Sequence, residues 1–266
     1  MSPVASAAVS EPIAVTVDGA VGTITLGRAT KRNAVNYEMW VALEAACGQL
    51  AADTAVRVVV LRGAGEHFCA GADISDLLAP RRPGEATFME ANMAAENALA
   101  ALPKPTIAVI QGDCIGGGCA LAIDCDFRLA IDDSRFGITP AKLGIVYPTP
   151  SLERAVALLG PAAKRLLFTG DLIGATEAHR IGLVDELLAA DAIETRLYEL
   201  CTTLSQRSLL TQAATKEMIA AVTEHGAVSG ELAQRWAAEV ATSGEMAEGI
   251  VAFQQRRPPN FPWRHR

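Results

Sequence analysis

Short apolar runs alternate with segments of helical periodicity over the first half of the chain. The runs Val56–Leu61, Thr106–Ile110 and Phe127–Ala130 are apolar and short, which predicts buried strands. Two longer segments, Tyr37–Ala52 and Glu85–Leu102, carry apolar residues at helical spacing and predict helices. Strands that alternate with helices in this way predict βαβ units and a mostly parallel sheet, so the expected fold class is α/β.

The two ends of the chain depart from this alternation. Residues Ile13–Leu26 alternate apolar and polar side chains around an Asp18-Gly19 turn, which predicts a β-hairpin. From Ala162 onward the pattern is helical almost throughout. We therefore predict one continuous structural domain that consists of a disordered tail over residues 1–12, an α/β core over 13–200 and a helical C-terminal region over 201–266.

Composition excludes several classes of function. The chain has 266 residues and a net charge of −7, so it has no overall attraction for nucleic acid, and we expect no such partner. No stretch of 18 uninterrupted apolar residues is present, so we expect no membrane span. Its six cysteines form no C-x-x-C pair and no zinc-binding spacing with histidine. We expect buried reduced thiols, no metal site and a cytoplasmic location.

Two loops rich in small residues are the candidate sites of chemistry. The first is His67–Ile74, and the second runs from Gln111 to Leu121; each follows a predicted strand and precedes a helical segment. Small residues let a ligand approach the backbone, and free N–H groups at a helix start favour negative charge. Two such amides directed at one oxygen would form an oxyanion hole. Each loop alone is more often a simple tight turn, and neither matches the G-x-G-x-x-G or G-x-x-x-x-G-K-[ST] pattern.

Taken together, the loops resemble the crotonase (enoyl-CoA hydratase/isomerase) superfamily. Its F-x-A-G-A-D-I and G-x-x-x-G-G-G-x-x-L motifs stand here almost verbatim, as Phe68–Ile74 and Gly112–Leu121, and the resemblance extends over nearly the whole chain. It implies a crotonase-like (ClpP/crotonase) spiral of ββα units with a helical C-terminal trimerisation region. It further implies a homotrimer, or a hexamer made of two trimers.

The resemblance also implies a set of site residues. The amides of Ala72 and Gly117 would hold the carbonyl oxygen of an acyl-CoA thioester. The CoA moiety would run along six residues, Lys31, Arg32, Ala34, Ala70, Asp73 and Ile74. No cofactor is implied beyond the coenzyme A that the substrate carries.

Two positions depart from the family pattern. Hydratases that this chain resembles use two glutamates as general acid and base across the substrate double bond. The matching positions are here Ala120 and Pro140, neither of which transfers a proton. The standard two-glutamate hydration mechanism is therefore not supported by the sequence.

A third segment, Thr139–Tyr147, resembles the methylmalonyl-CoA decarboxylase branch of the superfamily. That branch has a T-P-x-x-L-G-x-x-Y segment whose tyrosine lies beside the substrate carboxylate, although it carries a histidine where this chain has Ala72. Tyr147 is the candidate catalytic side chain, since its hydroxyl could bind a carboxylate or protonate an enolate. The alternative is a tyrosine of the pocket wall. Asp124 and Glu153 are further carboxyl candidates, with a structural role as the alternative for each.

The expected function is enolate chemistry on an acyl-CoA thioester. Decarboxylase- or isomerase-type chemistry is favoured because both hydratase glutamates are absent. Two alternatives stay open at this point: a weak enoyl-CoA hydratase of fatty-acid metabolism, and a non-catalytic acyl-CoA-binding protein.

Overall fold

The computed structural model describes residues 11–80 and 84–265, so nearly all of the predicted tail lies outside the described residues. The strands of the described part are β1 Ile13–Asp18, β2 Val21–Leu26, β3 Val58–Gly63, β4 Thr106–Ile110, β5 Asp113–Ile115, β6 Phe127–Ile131, β7 Arg135–Gly137, β8 Ile173–Gly174 and β9 Glu186–Leu188. Its helices are α1 Tyr37–Ala52, α2 Ile74–Leu77, α3 Phe88–Ala100, α4 Gly117–Asp124, α5 Thr149–Leu159, α6 Ala162–Thr169, α7 Ala175–Arg180, α8 Ile193–Ser205, α9 Leu209–His225, α10 Gly230–Ser243 and α11 Glu245–Gln254.

A six-stranded sheet forms the centre of the molecule, in the order β1-β2-β3-β4-β6-β9. The β1–β2 hairpin is antiparallel, and every other neighbouring pair of this sheet is parallel. The predicted hairpin, the helix over Tyr37–Ala52 and the strand over Thr106–Ile110 are confirmed. The prediction of a mostly parallel sheet is confirmed as well. Parallel neighbours need a crossover between the end of one strand and the start of the next, and helices provide most of these crossovers.

A second sheet of three short strands, in the order β5-β7-β8, lies beside the first. Strands β4 and β6 enter the large sheet, whereas the strands that follow them, β5 and β7, pair with each other in the small one. In these two successive units the chain therefore contributes one strand to each sheet and then a helix, α4 or α5. The sequence analysis missed β5, β7, β8 and β9, which have only two or three residues each and exist through pairing with distant segments.

Helix α3 begins three residues later than the sequence predicted. Thr87 caps it: the Glu90 amide donates to the Thr87 hydroxyl oxygen at 3.2 Å, and the Thr87 amide donates to the Glu90 carboxylate at 2.7 Å. This reciprocal pair satisfies two amides that the helix itself leaves without partners, so it sets the first turn at Phe88. The position matters because the buried face of α3 forms one wall of the cavity described below.

The main core lies between the large sheet and helices α1, α3 and α4. Its largest fully buried side chains include Trp40, Phe68 and Phe136, and all six cysteines are buried free thiols, as predicted. A second apolar layer packs α8 against the opposite face of the sheet. The last helices form a smaller cluster around Trp236. Within the described residues, no helix is both long and apolar enough to cross a bilayer.

The cap of α3 gives a test of how that helix is held. We expect Thr87→Ala to lower the free energy of unfolding by about 1 kcal/mol, because the Glu90 amide loses its acceptor. Thr87→Ser keeps the hydroxyl and should stay close to the wild type. Urea denaturation of the three proteins measures the difference, and equal stability of the alanine and serine variants would contradict the capping assignment.

Candidate active site

The first loop turns sharply and leaves one amide without a partner. Val35 pairs with the loop on both sides of Ala72: its amide donates to the Gly71 carbonyl at 2.8 Å, and its carbonyl accepts from the Asp73 amide at 2.9 Å. Gly71 has a φ of 100°, a conformation that favours glycine. Within the described part of the chain, the Ala72 amide between these two bonds donates to no protein acceptor.

The second loop presents another amide at the start of α4. Gly116 has a φ of 57°, and its amide donates to the Gly137 carbonyl at 2.7 Å. Gly117 is the first residue of α4, so its amide has no partner inside the helix. No other acceptor for it occurs among residues 11–80 and 84–265. The positive end of the helix dipole adds to the attraction for negative charge at this point.

Main-chain hydrogen bonds fix the two loops side by side. The Cys69 amide donates to the Asp113 carbonyl, and the Ile115 amide donates to the Cys69 carbonyl, both at 2.9 Å. A Cβ placed on Gly117 would lie 3.5 Å from the Ala72 amide nitrogen. The two amides are therefore neighbours.

A cavity of about 110 Å³ opens beside the two amides. It is smaller than the ~300–1,000 Å³ typical of pockets that hold whole ligands. Ala72 and Gly117 line it together with six apolar side chains, those of Ile74, Leu77, Phe88, Met89, Leu143 and Ile145. Its wall also holds four polar side chains, those of Asn92, Glu96, Thr139 and Tyr147.

Tyr147 lies where the sequence expects an active-site side chain. It lines the cavity, and its ring is buried. Its hydroxyl donates a long hydrogen bond, 3.5 Å, to the Gly116 carbonyl oxygen. Burial, and after it the nearby Glu96 carboxyl, raise the pKa of the Tyr147 phenol well above its ordinary value. The residue would therefore act as a neutral hydrogen-bond donor.

Glu96 on α3 is the site residue that the sequence analysis missed. Its side chain lines the cavity, only 1% of the residue is exposed, and its carboxyl oxygens accept from Asn92 at 2.8 Å and from Ser151 at 2.5 Å. Burial raises the pKa of this carboxyl, while the hydrogen bonds from Ser151 and Asn92 oppose the rise. A signal was present in the sequence, because Asn92 and Glu96 stand four residues apart on the otherwise apolar face of α3.

The other carboxyl candidates do not reach the cavity. Asp124 ends α4, is buried, and pairs with Arg154 at 3.0 Å, while burial and then the nearby Glu96 raise its pKa. It is absent from the cavity wall, and so is Glu153, whose side chain is exposed on α5. Of the two positions where related hydratases carry glutamate, Pro140 lines the cavity and Ala120 is buried.

The residues expected to hold CoA lie along one edge of the first loop. Ala70 and Ile74 line the cavity, and the Ala70 amide donates to the Arg32 carbonyl at 2.9 Å. Lys31 and Arg32 are exposed, and Ala34 is half-buried beside them. Two of these charged side chains form ion pairs within the protein: Arg32 with buried Asp113 at 3.1 Å, and Asp73 with Arg28 at 3.0 Å. Asp73 also caps α2.

Comparison with known proteins places the chain in one family over almost its full length. The family model described as "Enoyl-CoA hydratase/isomerase" matches residues 16–264. A protein of Mycobacterium bovis named "Probable enoyl-CoA hydratase echA8" is 34% identical over 260 residues, which cover 96% of this chain and 99% of that protein. The 2,3-dehydroadipyl-CoA hydratase of Escherichia coli K12 is 30% identical over 243 residues, covering 91% of this chain and 94% of that protein.

A solved structure supports the same relationship at the level of the fold. The crystal structure of an enoyl-CoA hydratase/isomerase family member superposes with a TM-score of 0.85 at 38% identity, covering 95% of this chain and 97% of that one. The α/β fold class that the sequence predicts is therefore confirmed. The related crystal structure also shares the arrangement of helices and sheets described above.

The contact between the loops gives a prediction about Gly118. A Cβ there would overlap the Cys69 carbonyl oxygen, so Gly118→Ala must push the two loops apart. We expect it to lower the free energy of unfolding by about 1–3 kcal/mol, as overpacking of a core does, and to displace the Gly117 amide from the Ala72 amide.

Gly48→Ala is the matched control for this variant. Gly48 is exposed in α1, and a Cβ there meets no atom within 4 Å, so alanine should stabilise that helix by roughly 0.5–1 kcal/mol. Thermal and urea denaturation measure both changes. A Gly118→Ala protein as stable as the wild type would show that the loops are less tightly apposed than described.

Proposed function

The chain belongs to the enoyl-CoA hydratase/isomerase family, and we propose that it holds an acyl-CoA thioester oxygen between the Ala72 and Gly117 amides and performs isomerase- or decarboxylase-type chemistry through an enolate. The observation that carries this proposal is the pair of neighbouring amides without a protein acceptor at the wall of the cavity. Both residues are half-buried, and their amides meet at the cavity wall, where the oxygen of a bound ligand would supply the acceptor.

The chemistry follows from where negative charge develops. When a group leaves the carbon next to a thioester carbonyl, the electron pair of the broken bond delocalises onto the carbonyl oxygen and forms an enolate. Fixed amides stabilise this oxygen without reorganising, and the loss of one such donor costs roughly 3 kcal/mol. The start of α4 adds its dipole to the same position. Such a site lowers the barrier to enolate formation whichever group leaves.

The side chains around the acyl group select the reaction. Hydration across a double bond uses a base for the water and an acid for the neighbouring carbon, and the two positions that supply them in related hydratases are here Ala120 and Pro140. Isomerisation needs a single group that moves one proton, and decarboxylation needs none to break its bond. Tyr147, a neutral donor at the cavity wall, would hydrogen-bond a substrate carboxylate or protonate the enolate.

A hydratase is the second candidate, and the names of the relatives favour it. Both curated relatives described above are named hydratases, and hydration passes through the same enolate. In this chain it would be weak and would belong to fatty-acid metabolism. The third candidate, a protein that binds acyl-CoA without turnover, rests on the absence of both glutamates.

We propose that the CoA moiety lies outside the cavity along the edge of the first loop, against Lys31, Arg32, Ala34, Ala70, Asp73 and Ile74. The exposed cations at positions 31 and 32 would meet its phosphates, which a protein of net charge −7 does not attract as a whole. Ala70 and Ile74 lie where the cavity meets this edge. No cofactor is proposed beyond the coenzyme A of the substrate.

Substitution of Gly117 tests the proposed oxyanion hole. Gly117→Pro removes one amide at the first position of a helix, where proline is well tolerated. We expect at least a roughly 100-fold loss of turnover, which is the usual consequence of losing one donor to an oxyanion. The assays are methylmalonyl-CoA decarboxylation, isomerisation of trans-3-hexenoyl-CoA and hydration of crotonyl-CoA. CoA binding, followed by calorimetry, should change far less.

Gly230→Pro is the matched control, because Gly230 is the first residue of α10 and a Cβ there meets no atom within 4 Å. It should retain wild-type turnover. A folded Gly117→Pro protein with full turnover would contradict the oxyanion hole. Rapid hydration of crotonyl-CoA by the wild type would establish the hydratase candidate in place of the isomerase or decarboxylase, and binding without any turnover would establish the non-catalytic one.

We also propose that the protein assembles as a trimer or as a hexamer of two trimers through its C-terminal helices. Met246, Ile250 and Phe253 follow one another at helical spacing on α11 and are 63%, 53% and 86% exposed. Exposed apolar faces of this kind mark protein interfaces. Light scattering should give a molar mass three or six times that of the chain, and Phe253→Asp should lower it. A monomeric wild type would contradict the assembly.

A further inference from the structure

We propose that Glu96 is the proton-transferring carboxyl of this site, delivered from the α3 wall of the cavity in place of the two glutamates that are absent. The proposal rests on the enolate function proposed above and deepens it. It assigns the acid and base to a residue that lies outside both glycine-rich loops and outside the Thr139–Tyr147 segment. It also chooses between the two favoured reactions, because a single mobile proton is what double-bond isomerisation requires.

Position is the first argument for Glu96. Its side chain shares the cavity wall with Ala72, Gly117 and Tyr147, so an acyl group whose oxygen lies on the two amides extends alongside the carboxyl. Among the described residues that line this cavity, it is the only carboxyl side chain. The nearest competitor, Asp124, is held by Arg154 behind the wall.

The hydrogen bonds of Glu96 hold the carboxyl without neutralising it. One oxygen accepts from the Asn92 amide and the other from the Ser151 hydroxyl, so the group is fixed between α3 and α5 by two uncharged donors. Each carboxylate oxygen has a second lone pair, which leaves it able to accept a proton from a ligand. A carboxyl whose only task was to tie two helices together would not need to face the cavity.

No ion pair with Glu96 occurs among the described residues. Arg154 is the nearby cation, but its guanidinium donates to Asp124 on α4 and to Asn97 on α3, and its charge lowers the pKa of Glu96 less than the two hydrogen bonds do. The other titratable neighbours are Asp124 itself and the neutral Tyr147 phenol. Burial raises the pKa of Glu96 above its ordinary value, which moves it toward the range in which a general base works best.

The step that this arrangement supports conserves all atoms. With a 3-enoyl thioester, the Glu96 carboxylate takes a proton from the carbon next to the carbonyl. The electrons of that C–H bond form a dienolate, whose oxygen receives hydrogen bonds from the Ala72 and Gly117 amides. The Glu96 carboxyl then gives the proton to the fourth carbon, and the double bond ends between carbons two and three. No other reactant is needed.

Glu96→Gln tests the proposal because glutamine keeps the shape and a carbonyl oxygen for hydrogen bonding but carries no proton-accepting carboxylate. We expect the isomerisation of trans-3-hexenoyl-CoA to fall by at least about 100-fold, at the low end of the roughly 10²–10⁴-fold worth of acid–base catalysis. Exchange of the α-protons of hexanoyl-CoA in D₂O, followed by mass spectrometry, should fall equally. The KM should change little, and Glu153→Gln, an exposed carboxyl on α5, should behave as the wild type.

The Ser151 hydroxyl gives a second readout that a merely structural role would not move. Its hydrogen bond opposes the rise in the pKa of Glu96, so Ser151→Ala should raise that pKa further. A base is inactive when protonated, so isomerisation should be lost as the pH falls through the pKa of Glu96. The fall of kcat/KM at low pH should therefore begin at a higher pH in Ser151→Ala than in the wild type. The residual rate of Glu96→Gln should not show this fall.

The outcomes separate this proposal from the one on which it rests. Wild-type exchange and isomerisation in a folded Glu96→Gln protein would overturn the role of Glu96 and leave the enolate function standing. A fall at low pH unmoved by Ser151→Ala would also count against Glu96 as the titrating group. A wild-type protein that binds these thioesters but exchanges no α-proton would overturn the role of Glu96 as a base. If turnover were lost in Gly117→Pro but kept in Glu96→Gln, the chemistry would depend on the amides and not on Glu96.

Discussion

The close apposition of two loop backbones is the constraint on which the rest of the structure depends. Main-chain hydrogen bonds from Cys69 and Ile115 join the loops, and Gly118 has no room for a side chain at their contact. Only this spacing brings the Ala72 and Gly117 amides together while leaving both without protein acceptors. The parallel strands serve the same end, because β3 and β4 lead their loops to one edge of the sheet.

Behind this backbone site, a small group of buried polar side chains balances opposing effects. Desolvation disfavours the charged forms of Glu96 and Asp124, and the nearby Glu96 further disfavours charge on Asp124. Arg154 forms an ion pair with Asp124, whereas Glu96 accepts hydrogen bonds from the neutral donors Asn92 and Ser151, and the charge of Arg154 acts on it more weakly than they do. The result is a division of tasks, in which Asp124 ties α4 to α5 and Glu96 keeps the reactivity of a carboxyl that faces the cavity.

The proposed function specifies an intermediate, the enolate, more firmly than a single reaction. The two proposed amides need only a backbone and small residues, all of which this chain has, so enolate stabilisation would be independent of the side chains that select the reaction. The side chains that would select the reaction are Tyr147 and Glu96 at the cavity. Ala120 and Pro140 stand where the hydratases that this chain resembles carry glutamate.

The sequence by itself determined the elements whose signals are local. The hairpin, α1 and β4 were all predictable because periodicity and turn residues act over a few neighbours, and the two loop motifs are the source of the proposed pair Ala72 and Gly117. Only the tertiary structure decided the short strands β5, β7, β8 and β9, which depend on partners far along the chain. It also decided the place of Glu96, because whether a carboxyl on a helix is solvated or buried at a cavity depends on what packs against that helix. Here Ser151, 55 residues away, completes that environment.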